Sequence, residues 1–273
     1  MSTPATDRPL TIAVCVKYTL DVDQIRVDPA TGEPNLSQAG YVINDFDENG
    51  IETALQLRDE HGGRVVGVSV VTARPPENVL LQGLAMGLDE LYLVAGVGSD
   101  GADALATALA LAAAISRLGP VDLVVCSDTS VDAYRGEVGP RLAEALSLPC
   151  ATYATSVRLD GERVRVDRAL ESVVETVETT LPVLVTVGSE ANQPRMTTLR
   201  DIKQAHRKPI VEWPLSDFPE AAAACVAAPE RIGTLAVHAP PSERKHLLVD
   251  GETPEETVRT LLHHLLEDGV LSL

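Results

Sequence analysis

Residues 121–148 read VDLVVCSDTSVDAYRGEVGPRLAEALSL, and this stretch has the order of elements found in α/β folds. It begins with a short apolar run, continues through a loop of small residues, and ends in a segment with the apolar spacing of a helix. A strand, a small-residue loop and a helix in that order predict a place where backbone N–H groups hold a phosphate. The loop fits no common phosphate-loop pattern, and it carries Asp128, Asp132 and Glu137 against the single cation Arg135.

The same alternation of apolar strands and amphipathic helices precedes this stretch. Strands are predicted over 11–16, 64–71, 90–94 and 122–127, and helices over 47–61, 76–87, 103–119 and 136–148. Strands rich in Val, Ile and Leu that alternate with helices are typical of a doubly wound, mostly parallel α/β sheet. Ligands of such sheets lie beyond the carboxyl ends of the strands. Those ends fall at Lys17-Tyr18, Val71-Thr72, Val94-Ala95 and Ser127-Asp128.

The periodicity changes after residue 150. Residues 151–187 alternate in period two, and a hairpin with Asp160-Gly161 at its turn is predicted. We expect a block of antiparallel strands that extends the sheet or covers one side of it. A loop and a short basic helix follow over 189–209, and the small residues of 220–230 are interpreted as a linker.

A C-terminal helix is predicted from Thr253 with Glu256 as a capping box and Pro254 in the first helical position. Its apolar stripe consists of Val258, Leu261, Leu262 and Leu265. The stripe packs either on a partner chain or back on the protein's own core, and its spacing does not decide between them. The sequence thus predicts a core over 1–210, followed over 211–273 by a linker and a helical arm.

Composition restricts the classes of function. The 273 residues carry a net charge of −18, which argues against a nucleic-acid backbone or an anionic membrane as partner. The chain has no leader pattern and no long apolar run, so we expect a soluble, cytoplasmic protein. Cys15, Cys126 and Cys150 are interpreted as small core residues, and no spacing indicates a metal site.

Five segments in order carry a family resemblance. They are AVCVKYTLD (13–21), NDFDENGIETALQL (44–57), LAMGLDELYLV (84–94), SVDAYRGEVGPRLAEALSLPCATY (130–153) and NQPRMTTLRDIKQAHRKPI (192–210). Together they resemble the β subunit of electron-transfer flavoproteins over about residues 11–210, and the C-terminal helix resembles that of the family.

The resemblance implies a Rossmann-like, adenine-nucleotide-binding fold in an αβ heterodimer. Such proteins accept electrons from flavin-linked dehydrogenases and pass them toward the respiratory chain, commonly to a membrane quinone oxidoreductase. The FAD is held mostly by the α subunit, and the β subunit binds a structural AMP. In the bifurcating group a second FAD takes that pocket, and this alternative stays open. The chain is then an electron carrier subunit rather than an enzyme by itself.

The resemblance also implies which residues line the nucleotide pocket. By position they are Cys15, Asn44, Asp45, Phe46, Asp47, Val71, Ser127, Asp128, Thr129, Ser130, Val131, Asp132, Arg135, Gly136, Glu137 and Val138. The phosphate would meet the N–H groups around Gly136 to Gly139, where AYRGEVG replaces the family's usual GDTGQVG. Arg135 is expected to neutralise Glu137 or to contact the phosphate, unless Glu137 points to solvent.

A docking loop is the second feature that the resemblance implies. Leu199 occupies the position of the apolar anchor that enters a pocket on the partner dehydrogenase, with Met196 and Ile202 nearby. Lys203, Arg207 and Lys208 form a cationic cluster beside it, available to acids on a partner or simply solvated.

Two other classes of protein compete with this interpretation. A stand-alone universal-stress-type nucleotide-binding protein shares the α/β layer but needs neither the antiparallel block nor the arm. A dehydrogenase of the usual type needs a GxGxxG motif after the first strand, and the sequence lacks it there.

Overall fold

A computed structural model describes residues 9–28, 30–96, 103–227, 236–237, 239 and 245–272. These residues form two compact units. The larger unit holds the chain up to Arg26 and from Asn35 to Ala236, and the smaller one holds Val27–Pro34 with the chain from Val237 onward.

The secondary structure alternates as predicted in the first half of the chain. The strands are β1 (Leu10–Cys15), β2 (Tyr18–Leu20), β3 (Arg26–Val27), β4 (Pro34–Asn35), β5 (Tyr41–Ile43), β6 (Gly63–Val71), β7 (Glu90–Ala95), β8 (Leu123–Ser127), β9 (Cys150–Asp160), β10 (Arg163–Ala169), β11 (Val174–Thr180), β12 (Val183–Val187) and β13 (Ile210–Pro214). The helices are α1 (Asp45–His61), α2 (Glu77–Met86), α3 (Ala104–Arg117), α4 (Val138–Leu146), α5 (Leu199–Ala205), α6 (Pro219–Ala227) and α7 (Pro254–Glu267).

A nine-stranded sheet organises the larger unit in the order β11-β10-β9-β12-β8-β1-β6-β7-β13. Seven neighbouring strands, from β9 to β13 in this order, run parallel. Their side chains are buried on both faces: Ile12 and Val14 lie in one apolar cluster, and Ala13 lies in the other. Helices α1 and α2 contribute to the first cluster, and α3, α4 and α6 contribute to the second. The predicted doubly wound α/β fold is confirmed.

Strand order reverses beside β1. The chain moves from β1 outward through β6 and β7, then returns to place β8 on the other side of β1. In a doubly wound sheet this reversal opens a crevice at the carboxyl ends of the two strands. The fold therefore brings Cys15 and Ser127, which end β1 and β8, to the same edge of the sheet.

The antiparallel block is smaller than predicted. Strands β9, β10 and β11 pair antiparallel and extend the sheet, and Gly161 occupies the hairpin turn with φ 63°. Strand β12 was also expected to be antiparallel, but it pairs parallel with β8 and β9. Its residues Val183, Val185 and Val187 are fully buried, as a central strand covered on both faces requires.

The predicted linker is wrong over the residues that the structure describes. Residues 219–227 form α6, which contributes with α3 to one apolar cluster; residues 228–230 lie outside the described ranges. Strand β13 pairs with β7 in the main sheet, so the core continues beyond the predicted boundary at 210. Alanine favours a helix and allows close helix packing, which explains why a small-residue run is not a linker here.

The C-terminal helix α7 is confirmed, with Pro254 in its first turn and Thr253 Oγ1 accepting a hydrogen bond from Glu256 N at 3.3 Å. The capping box is incomplete, because the Glu256 carboxylate accepts from the N–H of Glu252 instead of Thr253. Val258, Leu261 and Leu262 of the apolar stripe are exposed, and Leu265 is half-buried. The packing of the stripe on a partner stays a prediction.

Two smaller findings concern the helices and the cysteines. No helix among the described residues is both long and apolar enough to cross a membrane. Cys15 and Cys126 are buried as expected, whereas Cys150 is exposed at the start of β9 and is not a core residue.

Candidate functional site

A cleft of about 360 Å³ opens at the carboxyl ends of β1, β6 and β8, next to the reversal of strand order. Its volume lies in the range of small-molecule sites, about 300–1,000 Å³. The sequence predicted a ligand site at this edge of the sheet, and the structure places a cleft there.

Most of the predicted pocket residues line this cleft. They are Cys15, Asn44, Asp47, Val71, Ser127, Asp128, Thr129, Ser130, Asp132, Arg135, Gly136, Glu137 and Val138. Asp45 is exposed in the first turn of α1, and Phe46 packs edge-on against the ring of Tyr134 with 6.3 Å between centroids. Val131 donates its N–H to Asn44 Oδ1 at 3.0 Å. These three residues are not part of the lining.

A buried polar network ties the start of α1 to the strand ends. Asp47 accepts hydrogen bonds from the N–H of Lys17 at 2.5 Å, from Asn44 Nδ2 at 3.0 Å and from Ser127 Oγ at 2.5 Å. Asn44, which is fully buried, also donates to the carbonyl of Thr129 at 3.2 Å. The network holds the ends of β1 and β8 at fixed positions around the cleft.

Burial governs the charge of Asp47. It raises the pKa of this carboxyl to about 6, although hydrogen bonds from Ser127, Lys17 N–H and Asn44 and the charge of Lys17 oppose the shift. Asp47 is therefore ionised at neutral pH but close to its titration. Burial, with the nearby charge of Asp47, also raises the pKa of the Tyr18 phenol above its usual range.

Lys17 supplies a second cation beside the loop, whose own cation is Arg135. Its Nζ lies 2.6 and 2.7 Å from the two carboxylate oxygens of Asp132 and 3.2 Å from Ser130 Oγ. Burial alone would raise the pKa of Asp132, but the hydrogen bonds from Lys17 and Ser130 and the charge of Lys17 lower it. The pair joins the end of β1 to the loop after β8.

The other two loop acids are also bound within the chain. Glu137 pairs with Arg141, one helical turn later, at 2.6 Å, so the expectation that Arg135 neutralises it is wrong. Asp128 accepts from the hydroxyl of Thr186 and from the N–H of Tyr153. Burial raises the pKa of Asp128, and those two hydrogen bonds oppose the shift. An acidic loop is therefore compatible with an anion site, because its carboxylates are already held by the chain.

The backbone at the start of α4 has the form that a phosphate site needs. Gly136 has φ 64°, in the left-handed region, and a Cβ at Gly139 would lie 2.5 Å from Thr186 Cγ2. The N-cap residue Glu137 makes no side-chain cap hydrogen bond, and Glu137, Val138 and Gly139 all line the cleft. The N–H groups of a helix start without a cap are the donors that bind anions.

Two buried hydroxyl groups in the cleft have no protein partner. Tyr18 Oη and Thr129 Oγ1 are inaccessible to solvent and make no hydrogen bond within the described part of the chain. Leaving a buried polar atom unpaired costs about 1–3 kcal/mol. Both residues line the cleft, and a shift of either side chain toward it would give its hydroxyl access to a ligand.

The remaining lining residues were not among those carried over from the family. They are Val16, Lys17, Tyr18, Tyr41, Val70, Thr72, Ala73, Pro75, Ala104, Thr107, Leu111, Cys126, Ala133 and Gly139. Lys17, Tyr18 and Thr72 were predicted only as strand ends at the ligand edge of the sheet, and Gly139 only as part of the phosphate loop.

The predicted docking residues are on the surface. Met196 is 94% exposed, Leu199 79% and Ile202 42%, and Leu199 begins α5. We call residues 192–202 the docking segment. Thr198 and Asp201 form a complete capping box at the start of α5, which orients Leu199.

The predicted cationic cluster is reduced to Lys203 and Arg207, which are exposed. Lys208 is half-buried, and its Nζ donates to the carbonyls of Leu84 and Leu88 at 2.9 and 2.6 Å. Lysine near the end of a helix satisfies carbonyls that lack an intrahelical partner. Lys208 is thus a structural residue at the end of α2.

The fold and cleft define an α/β protein with a cleft at the place where ligands of that class usually bind. Residues 36–218 match the family model of the electron transfer flavoprotein domain. A caffeyl-CoA reductase-Etf complex subunit, CarD, of Acetobacterium woodii is 31% identical over 95% of this chain and 99% of its own length. The electron transfer flavoprotein subunit beta of Clostridium acetobutylicum is 36% identical over 77% of this chain and 80% of its own.

A third relative, the acryloyl-CoA reductase electron transfer subunit gamma of Anaerotignum propionicum, is 34% identical over 73% of this chain and 76% of its own. The chain belongs to the electron transfer flavoprotein β-subunit family, as the five sequence segments predicted.

Proposed function

We propose that this chain is the β subunit of a heterodimeric electron-transfer flavoprotein. It helps to enclose an FAD held by the α subunit, accepts electrons from flavin-linked dehydrogenases and passes them toward a quinone oxidoreductase of the respiratory chain. Family membership supports a role in electron transfer, and so do two relatives named as a subunit of a caffeyl-CoA reductase-Etf complex and as an electron transfer subunit of an acryloyl-CoA reductase. The chain acts as a carrier subunit of the cytoplasm rather than as a catalyst by itself.

The cleft is proposed to bind AMP. The observation that carries this proposal is the pair of unpartnered hydroxyls, Tyr18 Oη and Thr129 Oγ1, beside the uncapped start of α4. The N–H groups of residues 137–139 would hold the phosphate, with Arg135 as the nearest loop cation. A cleft of about 360 Å³ favours a mononucleotide over a complete FAD, because it lies near the lower limit of small-molecule sites.

Calorimetric titration of AMP tests the site. Thr129→Val removes one unpartnered hydroxyl with little change of shape. The loss of one hydrogen bond to AMP, about 0.5–1.5 kcal/mol, should weaken AMP binding roughly 3- to 10-fold. Arg135→Ala should also weaken AMP binding. Thr180→Val, an exposed threonine at the end of β11, is the matched control. If both cleft variants bind AMP as tightly as the control does, the cleft is not the AMP site.

Copurification separates AMP from the alternative. The chain is coexpressed with its α subunit, and nucleotides released from the pure complex are identified and counted. One AMP and one FAD per heterodimer supports the proposal, and the chain purified alone should be colourless. Two FAD molecules and no AMP would show a bifurcating subunit with its own flavin.

The docking segment is proposed to bind the dehydrogenase. Burial of one leucine side chain contributes about 1.5–3 kcal/mol, enough to direct a transient complex. Met196, Leu199 and Ile202 are exposed apolar side chains close together in sequence, and contiguous exposed apolar patches mark interaction sites. The arm that includes α7 is proposed to pack on the α subunit through its exposed leucines.

A further inference from the structure

Helix α1 carries three buried polar residues in a region that otherwise belongs to the core. Asn49, Glu52 and Thr53 are 6%, 5% and 7% exposed, whereas Ile51 and Leu55 are fully buried core residues. Residues three and four apart share one face of a helix, so the three polar side chains form a single stripe. Buried polar groups are costly unless they are paired. Apart from two contacts within α1, from Thr53 to the carbonyl of Asn49 and from Gln56 to Glu52, their partners lie in or beside the docking segment.

Asn49 and Thr53 hold the first residue of that segment. Asn49 Nδ2 donates to the carbonyl of Asn192 at 2.8 Å. Asn192 Nδ2 donates in return to the carbonyl of Asn49 at 3.0 Å and to Thr53 Oγ1 at 2.8 Å. The amide of Asn192 is thus clamped against the helix backbone.

Glu52 holds Arg195 by two separate means. The guanidinium donates to both carboxylate oxygens, from Nε at 2.7 Å and from Nη2 at 3.1 Å, and the backbone N–H of Arg195 donates at 3.2 Å. Nη2 also donates to Asp59 at 3.1 Å. The hydrogen bonds that Arg195 donates to Glu52 are the largest cause of a raised pKa of Arg195. A bidentate contact fixes both the position and the orientation of a guanidinium.

The exposed apolar residues follow this anchor directly. Met196 comes one residue after Arg195, and Leu199 comes four residues after it, at the capped start of α5. The segment is therefore fixed at both ends of its exposed part, by Arg195 on one side and by the capping box on the other. A loop ordered before binding loses less conformational entropy when it binds.

We propose that Glu52 is a positioning residue for partner docking: through Arg195 it holds Met196 and Leu199 in the orientation that an apolar pocket on the dehydrogenase accepts. The inference rests on the proposed docking function of the segment. A role in fold stability alone would leave the interaction with the partner unchanged as long as the protein is folded.

The test uses the αβ complex with a flavin-linked dehydrogenase, reduced by its own substrate, as electron donor. Glu52→Gln keeps the side-chain shape but removes the charge and one acceptor. Glu60→Gln, on the same helix with a largely exposed carboxylate, is the matched control. Hydrogen exchange of residues 192–199 and steady-state kinetics with respect to the carrier are measured for both.

In Glu52→Gln, we expect the Arg195 amide to exchange at least about tenfold faster, since a protecting hydrogen bond is lost and the segment opens locally. The KM for the carrier should rise about tenfold with kcat unchanged, because ordering of the segment then opposes binding. FAD content and αβ assembly should equal those of the control. Arg195→Lys keeps the charge without the bidentate contact and should give a smaller rise in KM. It also keeps the test available if Glu52→Gln does not fold.

Unchanged exchange in both anchor variants overturns the inference. Faster exchange with an unchanged KM also overturns it, provided that Leu199→Ala raises the KM in the same assay. If Leu199→Ala leaves the KM unchanged as well, the docking function itself has failed, and the positioning role falls with it.

Discussion

The protonation of Asp47 should make the stability of this protein depend on pH in an unusual direction. Burial raises the pKa of this carboxyl from 3.8 to about 6 in the folded chain. A carboxyl whose pKa rises on folding stabilises the folded state fully below pH 3.8, and this contribution is lost as the pH rises through 6. Most paired carboxylates act in the opposite sense.

The size of the effect follows from the two pKa values. A shift of about two units corresponds to about 3 kcal/mol between the fully protonated and fully ionised limits. Within a convenient range, from about pH 7.5 to about pH 5, the same linkage gives a gain of about 1.4 kcal/mol in the free energy of unfolding. That gain should be absent in Asp47→Asn, which cannot titrate.

The assay is urea unfolding of the wild type, Asp47→Asn and Asp45→Asn at both pH values. Asp45 is exposed in the same turn of α1, so its variant controls for the loss of a charge there. Wild type and Asp45→Asn should share the gain on acidification, and Asp47→Asn should fall short of them by about 1.4 kcal/mol. Equal pH dependence in all three would show that the Asp47 carboxylate is not destabilised by burial, and the electrostatic account of the cleft would be wrong.

Two further predictions concern the proposed interfaces. Leu199→Ala should raise the KM of the dehydrogenase for the carrier about tenfold or more, because the complex loses the free energy of burying one leucine side chain. The flavin content should not change. An unchanged KM in steady-state kinetics would show that Leu199 is not part of the docking site. Deletion of residues 253–273 should weaken binding to the α subunit, measured by titration calorimetry, without changing the unfolding midpoint of the larger unit, because α7 belongs to the smaller one. Normal assembly of the truncated chain would show that the arm does not bind α.

Sequence periodicity predicts the parallel half of the fold because each strand there is a continuous apolar run. It fails at α6, whose buried face consists of small residues such as Ala221 that form no apolar stripe. It also fails at β12, where a parallel pairing depends on strand order rather than on the strand's own residues. The short strand β13 was missed since its residues are only partly buried and alternate weakly.

The candidate site was predictable where neighbours in sequence interact and not where distant segments meet. Glu137 and Arg141 are four residues apart in a helix, a spacing that favours an ion pair and that could have identified the partner. The contact of Lys17 with Asp132 spans 115 positions, and only the reversal of strand order brings the two together. The same holds for Glu52 and Arg195, which are 143 positions apart.

Helix α1 serves two regions of the surface at once. Its first turn supplies Asp47 to the cleft, and its second and third turns supply Asn49 and Glu52 to the docking segment. One residue inserted or deleted between them would rotate one set against the other by about 100° and shift it by about 1.5 Å. The two sets of buried hydrogen bonds could then not form at the same time. A change in the number of residues within this helix would therefore disturb both the cleft and the anchor of residues 192–202.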